Sequence, residues 1–409
     1  MKILIVSQYF WPENFRINDL AQEFVARGHH VTVLTGVPNY PGGRIFDDFR
    51  KDPQSFSTYE NVDVVRVPLI PRGEGAVRLL LNYVSFSLFA STFGPWKLRG
   101  KKFDVVLTCQ LSPVTVGVPG ALIAWVKNAP MAMWVLDLWP DTLRAIGVVK
   151  SPQLLAIVGK LVGFIYRRCD LIWAQSKSFM PKIQSLAGPH IPVVYFPSWA
   201  EEIFKNPLTL PAPEVPLKEG SFNVMFAGNV GEAQDFNCIL GAAELLKNHS
   251  NIRWLIVGDG RMTSWVNDQV KLRGLADSVL LLGRYPVERM PEFFAHADAM
   301  LVTLADQEIF AMTIPGKLQS YLAAGIPIVA ALNGEGAEVI RLANAGFTCP
   351  AGNASELAAL VLKMSEISET DRQAMGKNGM KFCEREFDRH RVIDTAEKFL
   401  SGLKNEKNF

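Results

Sequence analysis

The sequence is poor in the residues that mark a disulfide scaffold or a metal enzyme. Only five cysteines occur in 409 residues, Cys109, Cys169, Cys238, Cys349 and Cys383, with no CxxC pair among them. Most sit in apolar runs, as small core residues of a reducing compartment do. The six histidines are dispersed. There is no HExxH, no ligand-spaced Cys/His cluster and no Asp-x-Asp pair, so neither zinc nor a magnesium-bound diphosphate finds ligands at the usual spacing. No metal and no other cofactor is expected. An excess of one charge is also missing: 42 Lys and Arg against 40 Asp and Glu leave a net +2. No global field draws such a chain to nucleic acid.

Glycine is lacking where a dinucleotide fold needs it. The first strand pattern runs into "SQYFWPENFRIND" without a glycine, which argues against NAD or FAD at the first turn. That loop instead offers Glu13 and Arg16 at the mouth of the first helix, either as a solvated salt bridge or as groups of a binding cleft. No leader pattern precedes the first strand, and the expectation is a cytoplasmic protein.

What is present is an alternation of β-branched runs and helical patterns. "KILIVSQ" (2–8), "HVTVLTG" (30–36), "VDVVRVPLI" (62–70), "DVVLTCQ" (104–110), "MAMWVLD" (131–137) and "LIWAQS" (171–176) are apolar on both faces, like strands of a parallel sheet covered by helices. "NDLAQEFVARG" reads as a helix capped near Asn18 and stopped at Gly28. The Pro-rich, aperiodic stretch 204–220 reads as a linker. The alternation then restarts with "FNVMFAGN", "IRWLIVGDG", "VLLLGR", "AMLVTLA" and "IPIVAAL". The expected fold is α/β, with two tandem doubly wound parallel-sheet domains, 1–203 and 221–384, facing across a cleft.

One segment points to an anion. "TIPGK" (313–317) opens a short amphipathic helix, and free N–H groups and the dipole make a helix N-terminus attract negative charge. A lysine there works against the dipole unless an anion offsets it. Three glycine turns straight after strands, "FAGNVG" (226–231), "IVGDG" (256–260) and "LLGRYP" (281–286), are each ordinary turn chemistry. Together with 313–317 they outline a backbone-lined crevice suited to a nucleoside diphosphate. Asp137 in "VLDLWPDTL" ends the fifth strand pattern beside Trp139 and Pro140, with Asp141 following. A carboxylate there either caps a helix or faces a ligand as a base or sugar-hydroxyl partner. The run 77–102 carries Leu79, Leu80, Phe86, Phe89 and Phe93 and closes on Lys97, Arg99, Lys101 and Lys102. It reads either as a core helix or as an interfacial helix meeting an anionic membrane surface.

"QYFWPENFRINDLA", "VLTGVPNYPGG", "DLWPDTL", "FPSWAE", "AGNVGEAQDF" and "PGKLQSYLAAGIPIVA" resemble, over nearly the whole chain, the family 4 glycosyltransferases of GT-B type. Within them they look like the WbuB-like group, named as L-fucosamine transferases of bacterial O-antigen and capsule assembly. The resemblance implies metal-independent transfer with retention. Its donor would be a UDP-linked sugar such as N-acetyl-L-fucosamine or a related N-acetylated 6-deoxyhexose, and its acceptor a polyprenyl-diphosphate-linked saccharide. The implied place is the inner face of the plasma membrane, as a peripheral protein. It also implies an acceptor-binding first domain, with Glu13, Asn39, Tyr40 and Trp139 as candidates, onto which the helix at 385–405 packs back.

Donor binding then falls to the second domain, through Gly228, Asn229, Arg284, Thr313, Pro315, Gly316, Lys317, Ser320 and Glu335. Lys317, Arg16 and Asp137 are the candidate catalytic groups. Four signature side chains are absent. Where relatives carry an Arg and a Lys after the first strand of the second domain, this chain has Asn229 and Gln234. Where they carry two glutamates eight apart, it has Met312 and Ser320. Lys317 and the N–H groups of 313–317 are therefore the expected diphosphate grip, Arg284 falls where relatives hold the base through main chain, and Ser320 is left for a ribose hydroxyl. Two rival readings remain: a UDP-HexNAc 2-epimerase using Glu13, Asp137 and Glu335, and a non-enzymatic sugar receptor.

Overall fold

The computed structural model describes residues 1–73, 75–145, 147, 149, 151–205 and 210–406. The chain divides into two units, Met1–Pro197 with Ile393–Phe409, and Ser198–Val392.

The first unit is built on eight strands: β1 (Lys2–Val6), β2 (His30–Gly36), β3 (Thr58–Tyr59), β4 (Val62–Val67), β5 (Val105–Gln110), β6 (Met131–Val135), β7 (Leu171–Ala174) and β8 (Val193–Tyr195). Their order is β3-β4-β2-β1-β5-β6-β7-β8. All pairs are parallel except β3 with β4. Parallel strands need helical crossovers on both faces, so the central strands are buried on both sides and read as continuous apolar runs. Ile3, Leu4, Ile5 and Val6 are accordingly fully buried.

The second unit carries β9 (Phe222–Ala227), β10 (Ile252–Val257), β11 (Val279–Gly283), β12 (Ala299–Thr303), β13 (Ile328–Ala331) and β14 (Gly346–Cys349). Their order is β11-β10-β9-β12-β13-β14 and every pair is parallel. Each sheet winds outward from its first strand in both directions. The strand order reverses between β1 and β5 in the first unit and between β9 and β12 in the second, and such switch points open a crevice at the carboxyl ends of the strands.

Some local expectations are corrected. Asn18 does not cap the first helix, which spans Arg16–Ala26 with Phe15 as its N-cap. Its amide instead donates to the Glu13 carbonyl at 2.7 Å and accepts from the Trp11 N–H at 3.2 Å, so it ties the preceding loop together. The units part at Pro197/Ser198, ahead of the Pro-rich stretch. Residues 206–209 of that stretch lie outside the described residues. The remainder is anchored in the second unit: the Ala212 N–H donates to the Glu292 carbonyl at 3.0 Å, and Arg289 grips the Glu214 carboxylate through two nitrogens at 2.6 and 3.1 Å.

The last helix, Arg389–Glu406, counts with the first unit from Ile393 on. There Asp394 and Glu397 meet Arg27, and Glu397 also meets His29 at 3.0 Å. All five cysteines are buried and unpaired.

Candidate active site

In the second unit the loops after β9, β10 and β11 are knit together. Gly228 N–H donates to the Val257 carbonyl at 2.9 Å, Gly258 N–H to the Gly283 carbonyl at 2.7 Å, and Val230 N–H to the Asp259 carbonyl at 3.0 Å. A Cβ on Gly258, whose φ is +144°, would lie 1.8 Å from the Gly228 carbonyl oxygen. Only glycine allows these turns to approach so closely. Asp259 accepts from the Gly260 N–H and the Thr263 hydroxyl, both at 2.7 Å. These bonds, with a smaller contribution from the Arg284 charge, hold its carboxyl below the usual range. Gly228, Asn229 and Arg284 are exposed at this edge, and the Asn229 amide donates to Gln234 at 3.3 Å.

Against this edge stands the helix Gly316–Ala323, begun by Pro315 in extended conformation. Tyr321 fastens it to β9: its hydroxyl donates to the Ala227 carbonyl and accepts from the Ala227 N–H, both at 2.9 Å. Lys317 in the first turn projects over β9. The residue is partly exposed, but Nζ is buried with no hydrogen-bond partner. The nitrogen sits 3.5 Å above the centre of the Phe226 ring. A Cβ on Gly228 would come within 3.2 Å of it. Burial pulls the Lys317 ammonium down to about 7.

The amide grip expected over 313–317 is smaller than the sequence suggested. Pro315 has no N–H, and the Thr313 N–H is already spent on the Phe310 carbonyl at 3.2 Å. Gly316 and Lys317 occupy the first turn, where an α-helix leaves its N–H groups without intrahelical acceptors. Ser320 is also committed: its hydroxyl donates to Glu201 at 2.8 Å. Glu335 lies in the first turn of the helix Gly334–Ala343. Gly334 packs so tightly that a Cβ would lie 1.9 Å from the Ala311 carbonyl oxygen. Among the described residues no group of three His, Cys, Asp and Glu is placed to hold a metal ion.

In the first unit the loops after β1, β2, β4, β5 and β6 meet. Glu13 is 3% exposed, and its carboxylate is taken up by backbone. One oxygen accepts from the N–H groups of Asn39 and Tyr40, both at 2.7 Å, and the other from that of Phe10 at 3.3 Å. Burial nevertheless pushes its carboxyl up to about 7, against these hydrogen bonds and the Arg66 charge. Arg66 is itself pulled down to about 10 by burial and donates to the carbonyls of Gly36, at 2.8 Å, and Trp11.

Asn39 is fully buried and accepts from the Arg72 N–H at 2.8 Å. Asn82 on the helix Ala76–Lys97 accepts from Gln8 at 2.7 Å and Tyr9 at 3.2 Å, and donates to the Ile70 carbonyl at 2.8 Å. Asp137 receives the Thr142 hydroxyl and, at 3.2 Å, the Trp139 indole N–H. Burial raises its carboxyl despite these bonds and one from Ser112. Trp139 is 7% exposed and edge-on to Tyr83 at 6.0 Å.

Glu13, Asn39 and Trp139 are buried and Asp137 is half-buried, and their polar atoms are hydrogen-bonded within these loops. Tyr40, partly exposed, belongs to a cluster with Tyr9 at 5.3 Å and Phe15 at 5.1 Å, and the Arg72 guanidinium lies 5.3 Å from its ring. Arg16 opens the first helix in this same unit, so of the three candidate catalytic groups Arg16 and Asp137 share a unit that Lys317 does not.

Sequence reasoning missed Phe226, Glu201, Arg66 and Arg72. Only Phe226 had a local signal, as the last inward aromatic of β9 before its glycine turn.

Two family models match the chain. One, described as a glycosyl transferase 4-like domain, matches residues 14–199. The other, described as glycosyl transferases group 1, matches 212–382, and between them they span most of the sequence. The chain is a glycosyltransferase, with a 4-like domain in its first half and a group 1 domain in its second. The epimerase and receptor readings fall with that assignment.

This glycosyltransferase is 28% identical to the probable glycosyltransferase WbjE of Pseudomonas aeruginosa, over 68% of this chain and 69% of that one. It is 25% identical to the putative colanic acid biosynthesis glycosyl transferase WcaI of Escherichia coli K12, over 80% and 82%. Among solved structures, Anabaena HepE in complex with UDP superposes with a TM-score of 0.70 at 16% identity, covering 98% of this chain and all of that one. WaaG, a glycosyltransferase involved in lipopolysaccharide biosynthesis, superposes at 0.68 and 14%, covering 98% and 100%. These likenesses establish the two-domain GT-B architecture.

Proposed function

We propose that this glycosyltransferase moves a sugar from a UDP donor bound by the second unit to a polyprenyl-diphosphate-linked saccharide bound by the first, in the assembly of a bacterial surface polysaccharide such as O-antigen or capsule. The finer reading is that of the WbuB-like group: an N-acetylated 6-deoxyhexose, N-acetyl-L-fucosamine or a relative, transferred with retention and without a metal.

The observation that carries the donor side is Lys317, whose buried amine nitrogen has no acceptor in the first turn of a helix, beside Gly228. A diphosphate there would meet an ammonium and the helix N-terminus together. The name of WcaI, a putative colanic acid biosynthesis glycosyl transferase, supports the pathway class, and the UDP in the HepE structure supports the base. In this mechanism the acceptor hydroxyl attacks the anomeric carbon, the bond to the diphosphate breaks, and the departing phosphate oxygen takes the hydroxyl proton. The second unit contributes charge stabilisation of the leaving group rather than a strong base. The aromatic cluster of Tyr9, Phe15 and Tyr40 with Arg72 is the acceptor-side surface.

The same reading places the enzyme on a membrane. No described helix is long and apolar enough to cross one. The helix Ala76–Lys97 supports both readings of 77–102: Phe86 and Ala90 turn into the core, while Val77, Leu80, Leu81, Val84, Leu88 and Trp96 are 41–72% exposed. The Arg99 guanidinium lies 5.0 Å from the Trp96 ring, an aromatic and cationic pairing that suits the headgroup region of anionic lipid.

Thermal melts with UDP, GDP, ADP, NAD and free N-acetylhexosamines test the donor class. A ligand at 100 times its dissociation constant adds about 2.7 kcal/mol. A shift with UDP alone is expected, and a shift with GDP alone would overturn the donor assignment.

A further inference from the structure

Lys317 is held where a charged ammonium has little support. Its nitrogen is out of reach of water and of any acceptor, and it lies in the first turn of the helix Gly316–Ala323, at the positive end of the dipole. The face of the Phe226 ring, 3.5 Å away, favours the cation. Titratable groups on its own helix and on the loops of this unit are engaged elsewhere. On its own helix, the Tyr321 hydroxyl is bonded to both backbone groups of Ala227. Asp259 is bonded to Gly260 and Thr263, Asp235 caps its helix through the Cys238 N–H, and Asp306 accepts from Asn333. From the elements packed on the far side of the helix, Cys383 is bonded to the Gln319 carbonyl, Lys205 to Glu202 and Asp388, and Glu201 to Ser320.

We propose that Lys317 is stored mainly as a neutral amine in the resting enzyme above neutral pH and takes one proton from solvent when the donor diphosphate arrives, so that donor capture is coupled to proton uptake. The amine becomes an ammonium on binding, and release of the nucleoside diphosphate returns the proton to solvent. Nothing is oxidised or reduced. The coupling rests on the donor reading given above and adds its proton balance. The shift of Lys317 towards neutrality, caused by burial, agrees with it. An anion approaching the nitrogen supplies the missing acceptor and the missing charge, and both raise the proton affinity of the amine. The consequence is a donor site that loses affinity as pH rises above 7, although UDP itself is then fully ionised.

The test is calorimetric titration of the intact protein with UDP at pH 8 in two buffers of different ionisation enthalpy. Uptake close to one proton per UDP is expected. The dissociation constant should rise several-fold between pH 7.5 and 8.5, approaching tenfold per pH unit. In Lys317→Arg, whose guanidinium is always charged, proton uptake should vanish and the affinity should become flat over this range. Lys317→Met, which removes the amine without adding bulk at its tip, should bind weakly and exchange no proton. UDP binding by the wild type without proton exchange, or uptake that persists in Lys317→Arg, would overturn the coupling and leave the donor site standing. No UDP binding at any pH between 6 and 9 would bring down the donor reading and the coupling with it.

Discussion

Ser320 donates its hydroxyl to a carboxylate oxygen of Glu201 at 2.8 Å. The two residues are 119 positions apart in sequence, and the bond sets a carboxylate beside Ser320, the position at which the family resemblance implies a glutamate. If Glu201 serves the donor in that role, Ser320→Ala and Glu201→Gln should each raise the donor KM about tenfold with little change in kcat, the size of a hydrogen bond to a charged group. Initial rates against donor concentration decide it. Unchanged KM in both variants would reduce the pair to local packing.

Lys317→Ala should lower turnover roughly 100-fold, on the scale of losing one donor to a developing negative charge. The same change should not destabilise the fold in the way most buried truncations do, because it removes an unpaired buried amine. The sign with pH is definite. A lysine depressed to about 7 in the folded chain and near its ordinary value when unfolded adds stability as pH rises from 7 towards 10. Melting points of wild type and Lys317→Met across that window should diverge, with the wild type gaining. Parallel curves would show the amine to be solvated.

Glu13 predicts the opposite slope. Its carboxyl titrates at about 7 when folded and well below that when unfolded, so the folded state holds the extra proton between roughly pH 4.5 and 7 and stability falls as pH rises through that window. The full effect is at most roughly 3 kcal/mol. Glu13→Gln places an amide N–H against the Phe10 N–H and should lower stability everywhere, but its melting curve should lose this fall between pH 5 and 7.5. A variant that keeps the wild-type slope would shift the cause to another group.

Vesicle sedimentation tests the exposed face of the helix Ala76–Lys97. Leu81→Glu with Leu88→Glu should abolish binding to vesicles containing anionic lipid, while the melting shift given by UDP stays as in the wild type. The sites are 41% and 56% exposed, and exposed substitutions usually alter stability by about 0.5 kcal/mol or less. Binding that survives both changes would assign this face to something other than lipid.

The central strands were legible because burial on both faces writes itself as a β-branched run: "ILIV" in β1 and "WLIV" in β10 allow little else. Strands β3 and β8 escaped notice since they have two and three residues, and β14 because its "GFTC" is mostly half-exposed and has no apolar run. Lys317 was legible for a local reason, a cation in a helix's first turn. What the sequence hid were the partners, since Phe226 and Glu201 reach that helix only through the fold. Glu13 and Asp137 were half legible: their place in the loops that follow β1 and β6 could be read from spacing, but the number of backbone and side-chain donors converging on each depends on loops from four different crossovers.

The five cysteines lend the enzyme an unplanned use. Each thiol is buried, Cys109 and Cys169 in the first unit and Cys238, Cys349 and Cys383 in the second. A thiol reagent therefore has to wait for the surrounding layer to part before it can react. Mass-resolved labelling over time would then clock the opening of each unit separately in a single unmodified sample. A nucleotide that steadies only the second unit would slow three of the five reactions and leave the other two at their own pace.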